Sequence, residues 1–373
     1  MKEKSNKKMK KTFVTLFLEC PNIGLIKDVG QIPYHLGNRS NLYTTLVSSE
    51  LNFGGPFLNE VDGLELVNVP LLFGNVTLTG ILYIIKNAKN IDWLNLYHYR
   101  RRTLIWAYIY KLFNKSGNLY IKLDSGFVTI KKLQEDKYHR RKFIKLLELA
   151  DVVSAESKYG ANEFTQIANK PVVFIPNGVR QVDDSVIKEK ENAFLTVGRL
   201  GAKEKNTDLL LEAYAQIAED VNWKLNLVGP VEKNFEECLK NFFFKFPQLK
   251  ERIHLFGEIT DKDELYRIYS KSKIFVLPSS FESFSIACAE AVVNGCYLVL
   301  SDQVTPKEDF TDAWKYGCES KLNPLEFSKN MKRAIDVVES NKFNLYEEIE
   351  YGRDNFSWER ICDRLFEYLS SVG

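Results

Sequence analysis

Apolar strand-like runs alternate with helical patterns along this chain, and the alternation starts twice. In the first half, strands fit near Thr12–Leu18, Tyr43–Ser48, Glu65–Val69, Trp93–Tyr97, Leu119–Leu123, Val152–Ala155 and Val172–Ile175. Helical patterns fit Thr79–Asn87, Arg101–Phe113, Tyr138–Leu149 and Tyr159–Ala168. The second set has strands at Ala193–Val197, Lys224–Val228, Ile253–Phe256, Ile274–Leu277 and Tyr297–Ser301. Its helices fit Thr207–Ile217, Phe235–Phe244, Asp263–Ser270 and Ser285–Val293. Strands that alternate with helices predict α/β architecture with parallel sheets. Two such sets in 373 residues predict two doubly wound, Rossmann-like domains facing across a cleft. The expected layout is a basic tail over 1–11, a first domain over 12–185, a second over 186–350 and a C-terminal stretch over 351–373. The join is placed after Pro176-Asn177-Gly178, within the charged segment Asp183–Glu191. Ligands of such sheets bind beyond the carboxyl ends of the strands.

Composition narrows the partners. With 45% apolar and 27% charged residues, the chain is neither disordered nor collagen-like nor a small disulfide scaffold. The net charge of +2 is unevenly spread: residues 1–185 hold 26 Lys/Arg against 17 Asp/Glu, and the remainder holds 25 against 32. A basic first half suits an anionic neighbour, such as lipid phosphates or a membrane surface. No nucleic-acid motif is present, so no nucleic-acid partner is expected. The six cysteines form no CxxC and lie mostly in apolar runs, as free thiols of a reducing cytoplasm would. The four scattered histidines lack metal spacing. No apolar signal-peptide core follows the basic start. Leu66–Ile85 is 20 residues without a charge, nominally a membrane-span length. Asn68, Pro70, Gly74, Asn75 and Gly80 within it favour strand, loop and helix start instead. The expected location is cytoplasmic, with at most peripheral membrane contact.

Three segments carry chemistry. Pro278–Ala291 follows the apolar run Ile274-Phe-Val-Leu277 and leads into a helix, with Glu282 before it and Glu290 eight residues later. The amides of Phe284, Ser285 and Ile286 fall at the helix N-terminus, a ready anion site. A diphosphate there would have a glutamate near each end, and a carboxylate accepts both hydroxyls of a vicinal diol. Two solvated glutamates at a helix start would show the same spacing. Gly198-Arg199-Leu200 and Lys205-Asn206 follow another strand, where two cations could neutralise a leaving diphosphate; a solvated basic loop would also fit. Arg100-Arg101-Arg102, Lys131-Lys132 and Arg140-Arg141-Lys142 are basic patches. The first opens the aromatic-rich segment Thr103–Phe113, which suits either an interfacial membrane helix or a core helix with a solvated start.

Taken in order, Gly198-Arg199-Leu200, Lys205-Asn206, Leu227-Val-Gly229-Pro, Leu255-Phe-Gly257 and Glu282-x7-Glu290 resemble family 4 of the retaining GT-B glycosyltransferases. The resemblance covers about residues 170–370. Phe356-Ser-Trp358-Glu359 looks like the start of the family's terminal helix, which packs back on the first domain. More loosely, Lys27-Asp-Val-Gly30 looks like its N-terminal glycine loop, where a backbone without Cβ approaches a phosphate or sugar. The resemblance implies that Arg199 and Lys205 hold the donor diphosphate, Glu282 the transferred hexose and Glu290 the ribose. It places Gly229 and 256–258 near the base.

There are departures. Ser285 stands where many members have glycine, and Tyr297 where many have proline. Many members have a histidine in the first domain at the place where Leu123 is followed here by Asp124. Asp124 is read as the residue at that site, stabilising positive charge at the sugar carbon or orienting the acceptor. His98 is read as a packed or surface histidine, and the DxD look-alike Asp261-Lys-Asp263 as a helix cap.

The implied function is retaining transfer of a hexose from a nucleotide diphosphate sugar, UDP-sugar before GDP-mannose. The acceptor would be a glycan or a lipid-linked sugar in bacterial cell-surface polysaccharide synthesis. The sugar nucleotide enters as substrate, and neither a resident cofactor nor a metal is expected. A non-catalytic partner or chaperone subunit of the same fold is the alternative. A sugar phosphorylase ranks last, because no pyridoxal-lysine motif is evident.

Overall fold

Seven parallel strands from the first half of the chain form one sheet. The structure, a computed structural model, describes residues 10–124, 126–181, 190–313, 315–340 and 343–372. The strands are β1 (Lys11–Leu16), β2 (Leu42–Ser48), β3 (Glu65–Asn68), β4 (Trp93–Tyr97), β5 (Asn118–Leu123), β6 (Val152–Ala155) and β7 (Val173–Phe174). Their order is β3-β2-β1-β4-β5-β6-β7. The connecting helices are α1 (Asp28–Arg39), α2 (Val76–Asn87), α3 (Arg101–Phe113), α4 (Phe127–Glu135), α5 (Lys137–Leu149) and α6 (Lys158–Ala168). Local chemistry starts several of them: Asn75 caps α2, Asp136 caps α5 and Ser157 caps α6 by accepting from first-turn amides.

The second sheet is again all parallel. It holds β8 (Glu191–Val197), β9 (Lys224–Val228), β10 (Ile253–Gly257), β11 (Ser272–Leu277), β12 (Tyr297–Ser301) and β13 (Gly317–Ser320) in the order β10-β9-β8-β11-β12-β13. Its helices are α7 (Thr207–Ile217), α8 (Lys233–Lys245), α9 (Lys262–Lys271), α10 (Ile286–Val293), α11 (Lys307–Thr311), α12 (Pro324–Glu339) and α13 (Leu345–Phe356). In each sheet the strand order reverses once, between β1 and β4 and between β8 and β11. Such switch points open a crevice at the carboxyl ends of the strands.

The last helix, α14 (Trp358–Val372), belongs to the first unit. Trp358, Ile361, Cys362, Leu365 and Leu369 line one face and share a buried cluster with Phe13, Ile32 and Leu36. Arg39 donates both Nε and Nη2 to the Asp363 carboxylate, at 2.9 and 2.7 Å.

The expected boundaries move. The units divide at Gly178/Val179 and at Ser357/Trp358, not at 185/186 and 350/351. Val179 bridges Ser357, donates its N–H to Phe356 O at 2.7 Å and is buried in the second unit's core. α13 packs on α10, so residues 351–356 stay with the second unit. Lys11 already begins β1, so the expected tail is too long by at least that residue; its first nine residues, and 182–189 of the expected join, lie outside the described residues. Leu66–Ile85 is strand, turn and helix, and no helix among the described residues is long and apolar enough to cross a membrane. All six cysteines are free, and only Cys238 is not fully buried.

The second core carries an ionisable group that works against it. Glu348 on α13 is 0% exposed, and neither carboxylate oxygen has a hydrogen-bond partner among the described residues. Burial pushes its carboxyl well above the usual range, against the charge of Lys190. Burial likewise lowers Lys190, whose Nζ donates to Ser272 O (2.7 Å) and Asn294 O (2.8 Å). A carboxyl raised in the folded state stabilises most below its unfolded value and loses that contribution as pH rises. Glu348→Gln is therefore expected to raise the melting temperature at pH ~8 more than at pH ~5, by about 2–4 °C per kcal/mol relieved. Equal shifts at both pH values would show that Glu348 is not the titrating group.

Candidate functional site

The carboxyl ends of β8 and β11 bring two loops together at the second switch point. Asn206 Nδ2 donates to Pro278 O at 2.9 Å, and Ser280 N–H donates to Glu204 O at 2.8 Å. These bonds set Lys205 against Glu282: Lys205 Nζ donates to Glu282 Oε1 at 2.5 Å, and Ser279 Oγ donates to the same oxygen at 2.8 Å. The Glu282 side chain is only 12% exposed. Lys205 keeps N–H donors beyond the one Glu282 accepts. Arg199 is more exposed and pairs through Nη2 with Glu204.

Glu290 lies in α10, buried to 4%. Its Oε1 accepts from Lys262 Nζ at 2.7 Å and its Oε2 from the Tyr269 hydroxyl at 3.1 Å. Burial, reinforced by the Glu290 charge, pushes that hydroxyl well above its ordinary range, which keeps it a donor. Between the two glutamates, no side chain among the described residues caps α10; the Cys288 amide donates to Ser285 O at 3.1 Å, which leaves those of Ile286 and Ala287 for an anion. Phe284 anchors this turn, its ring packed on Phe310 and Phe356 at 5.2 and 6.3 Å. Ser285, directly before Ile286, has φ +76°. That left-handed conformation costs a side-chain residue about 1–2 kcal/mol and explains why glycine suits the position.

Two glycines build the adjoining edge. Gly229 has φ +134°, and a Cβ there would lie 1.9 Å from Gly198 O. The Lys205 stem passes over Gly198, 3.5 Å from where its Cβ would stand. Phe256, expected near a base, is 45% exposed at the end of β10.

The remaining expected residues lie in the first unit. Gly30 is not in a loop but in the first turn of α1, where a Cβ would lie 2.5 Å from the Leu25 backbone. Its lack of a side chain serves that packing, which corrects the glycine-loop expectation. Asp124 follows β5 beside His98, which follows β4 with φ +62°. His98 Nδ1 stands 3.6 Å from Asp124 Oδ1. Burial would raise the Asp124 carboxyl, but the His98 ring, its own amide and Arg100 outweigh this and hold it below the usual range. His98 is thus no bystander to Asp124, a pairing that the two separate strand ends concealed.

The DxD look-alike is structural. Asp261 caps α9 by accepting from Asp263 and Glu264 amides, and Asp263 pairs with Arg180 at 2.9 Å. Sequence reading missed Lys262 and Tyr269 as partners of Glu290; the first sits inside that look-alike and the second reads as an ordinary core aromatic. Trp106, considered for membrane burial, is core: it is 4% exposed, donates to Thr77 O at 3.0 Å and packs against Gly80. Arg100 and Arg102 both pair with Glu19.

Residues 180–349 match the family model described as glycosyl transferases group 1. A glycogen synthase of Mycoplasma mobile is 24% identical over 287 residues, which is 75% of this chain and 50% of that protein. A 4-alpha-N-acetylgalactosaminyltransferase of Campylobacter jejuni, named for its N-acetylgalactosamine-N,N'-diacetylbacillosaminyl-diphospho-undecaprenol substrate, is 29% identical over 125 residues, 34% of this chain and 31% of its own. The chain thus spans half or less of the length of these curated relatives. Among solved structures, Anabaena HepE in complex with UDP superposes with a TM-score of 0.71 at 16% identity, covering 97% of this chain and 100% of that one. This likeness is one of fold.

Proposed function

Starting from a glycosyl transferases group 1 domain at residues 180–349, in a chain of GT-B type, we propose that this protein transfers a hexose, with retention, from a nucleotide diphosphate sugar. The observation that carries the reading is the grouping of Arg199, Lys205, Glu282, Glu290 and the uncapped α10 start around one switch point. Lys205, Arg199 and the α10 amides would neutralise the leaving diphosphate. Glu282, held by Lys205 and Ser279, would accept hydroxyls of the hexose, and Glu290 those of the ribose. In this reading the acceptor hydroxyl attacks from the face the diphosphate leaves, and a diphosphate oxygen takes its proton. Positioning then supplies most of the rate. Asp124, beside His98, would orient the acceptor or stabilise charge at the sugar carbon. The UDP complex of HepE favours a UDP-sugar. The diphospho-undecaprenol substrate in the Campylobacter enzyme's name favours a lipid-linked acceptor in surface polysaccharide assembly.

The test is transfer from a panel of UDP- and GDP-sugars, with and without chelator. One donor should be turned over with retained anomeric configuration, and chelator should leave the rate unchanged, because Arg199 and Lys205 supply the cationic charge. Tight nucleotide binding with no turnover on any acceptor would favour the chaperone-like alternative. Loss of activity in chelator that manganese restores would overturn the metal-independent part.

Peripheral membrane contact belongs to the same reading. Phe73, before α2, is 91% exposed, and Tyr108 and Leu112 of α3 are 63% and 59% exposed. Arg101, which opens α3, and Lys115, just beyond its end, are exposed, and each cation close to an anionic surface contributes about 1 kcal/mol. Phosphatidylglycerol vesicles should co-sediment the protein at low salt, and Phe73→Ser should reduce the bound fraction several-fold. Equal recovery with phosphatidylcholine vesicles would remove the membrane contact and leave the transferase reading intact.

A further inference from the structure

The three basic patches of the first half lie on three different helices or their starts, yet parts of all three meet at one cavity. It has a volume of about 350 Å³ and lies among the starts of α3, α4 and α5. Arg100, Arg101, Lys132 and Lys142 line it, and no carboxylate among the described residues does. Their neutralisation is incomplete. Arg100 shares Glu19 with Arg102, and Lys142 donates to the Tyr138 hydroxyl at 2.5 Å. Arg101 and Lys132 have no ion-pair partner among the described residues. The nearby acid, Asp136, is engaged by His139 Nδ1 at 2.7 Å and by the first-turn amides of α5.

The other wall is apolar, with Leu133 buried and Leu104 half-buried. Phe127 and Val128, at the start of α4, are 50% and 68% exposed. Four like charges facing one cavity repel one another until an anion enters, and guanidinium and ammonium groups together suit a phosphate. A cavity of this size accepts a small ligand, and the apolar wall suits an ester better than a bare ion.

We propose that this cavity is a binding site for the phosphate or diphosphate group of an ester. It is separate from the residues assigned above to the donor. The site stands on the first unit alone; calling its ligand the acceptor rests on the transferase reading.

Calorimetric titration tests it in the Arg199→Ala/Lys205→Ala background, which removes the proposed donor-diphosphate cations. The probes are farnesyl diphosphate, below its critical micelle concentration, and inorganic pyrophosphate. Adding Arg101→Gln/Lys132→Gln should weaken binding at least about tenfold, two charge-assisted contacts being lost. Arg140→Gln/Arg141→Gln, on α5 but outside the cavity lining, should change it less than about twofold. Unchanged binding in the first pair, or equal weakening by both pairs, would overturn the site. Unchanged melting temperatures certify folding, and Lys132→Glu alone gives a second variant with the same expected direction. Farnesyl diphosphate binding at least about threefold tighter than pyrophosphate would assign the phosphate to a lipid. Equal affinities would assign it to a soluble ester. UDP binding to the wild-type protein, measured in parallel, reports on the transferase reading separately.

Discussion

Glu282→Ala is expected to lower the rate constant of sugar transfer by about 10²–10³, the loss that follows removal of one preorganised contact to developing charge. The residue is almost enclosed, and its Oε1 is held by Lys205 and Ser279 before any ligand arrives. No large reorganisation would then be needed for a sugar to bind there as proposed. The substitution also removes the partner that orients Lys205, so a diphosphate held as proposed would lose a positioned cation as well. Glu290→Ala should behave differently: donor KM rises about tenfold or more while kcat changes little, because the ribose it would hold is remote from the reacting carbon. A loss confined to KM is a loss of uniform binding, whereas a loss in kcat is specific to the transition state. Steady-state kinetics over a range of donor concentrations separate the two. Wild-type kcat and KM in Glu282→Ala would remove Glu282 from the site.

Gly229→Ala is expected to destabilise the second unit by about 3–5 kcal/mol, through overpacking added to backbone strain. The added Cβ would stand 1.9 Å from Gly198 O, at φ +134°. Neither backbone can yield easily, since Gly198 N–H is bonded to Val228 O at 3.0 Å and Gly229 N–H to Gly257 O at 2.7 Å. Gly257→Ala is the control. That residue also has positive φ, +72°, but no atom of the described residues lies within 4 Å of its Cβ position. Its cost should be the left-handed penalty alone, about 1–2 kcal/mol. Chemical denaturation of both variants checks the difference. Equal destabilisation would mean that close approach to Gly198 is not what selects glycine at 229.

Some of the helices declare themselves locally and some do not. Asn323-Pro324-Leu-Glu326 carries cap, N1 proline and first-turn acid together, and Asn323 does cap α12. The alternation read from apolar runs stops at Tyr297–Ser301 and passes over this signal. α1 is the opposite case. Gly30, Pro33 and Gly37 speak against a helix, and the segment reads as a glycine loop. Packing overrides propensity there: Gly30 fits against Leu25, Gly37 against Thr44, and Ile32 and Leu36 join the face of α14.

The site divides in the same way. Glu282 and Glu290 share one loop-helix unit, so their eight-residue spacing and the uncapped helix start between them are properties of a local segment. Lys205 and Arg199 are legible as loop cations after a strand, but nothing near them in the chain says what they touch.

By itself the amino-acid sequence determined the period of each element, hence two sets of parallel strands, and the acids and cations at the ends of β8 and β11. Only the tertiary structure decided which of them meet. Lys205 and Glu282 are 77 residues apart, and Lys262 and Glu290 28. They are neighbours because β11 lies beside β8 rather than beside β10, its predecessor in the chain. His98 and Asp124, and the basic residues around the α3–α4–α5 cavity, converge for the same kind of reason. Periodicity and capping act within one element, over a few residues. Strand order is settled by burying the apolar faces of all the elements together, and that non-local free energy leaves no pattern in any single segment.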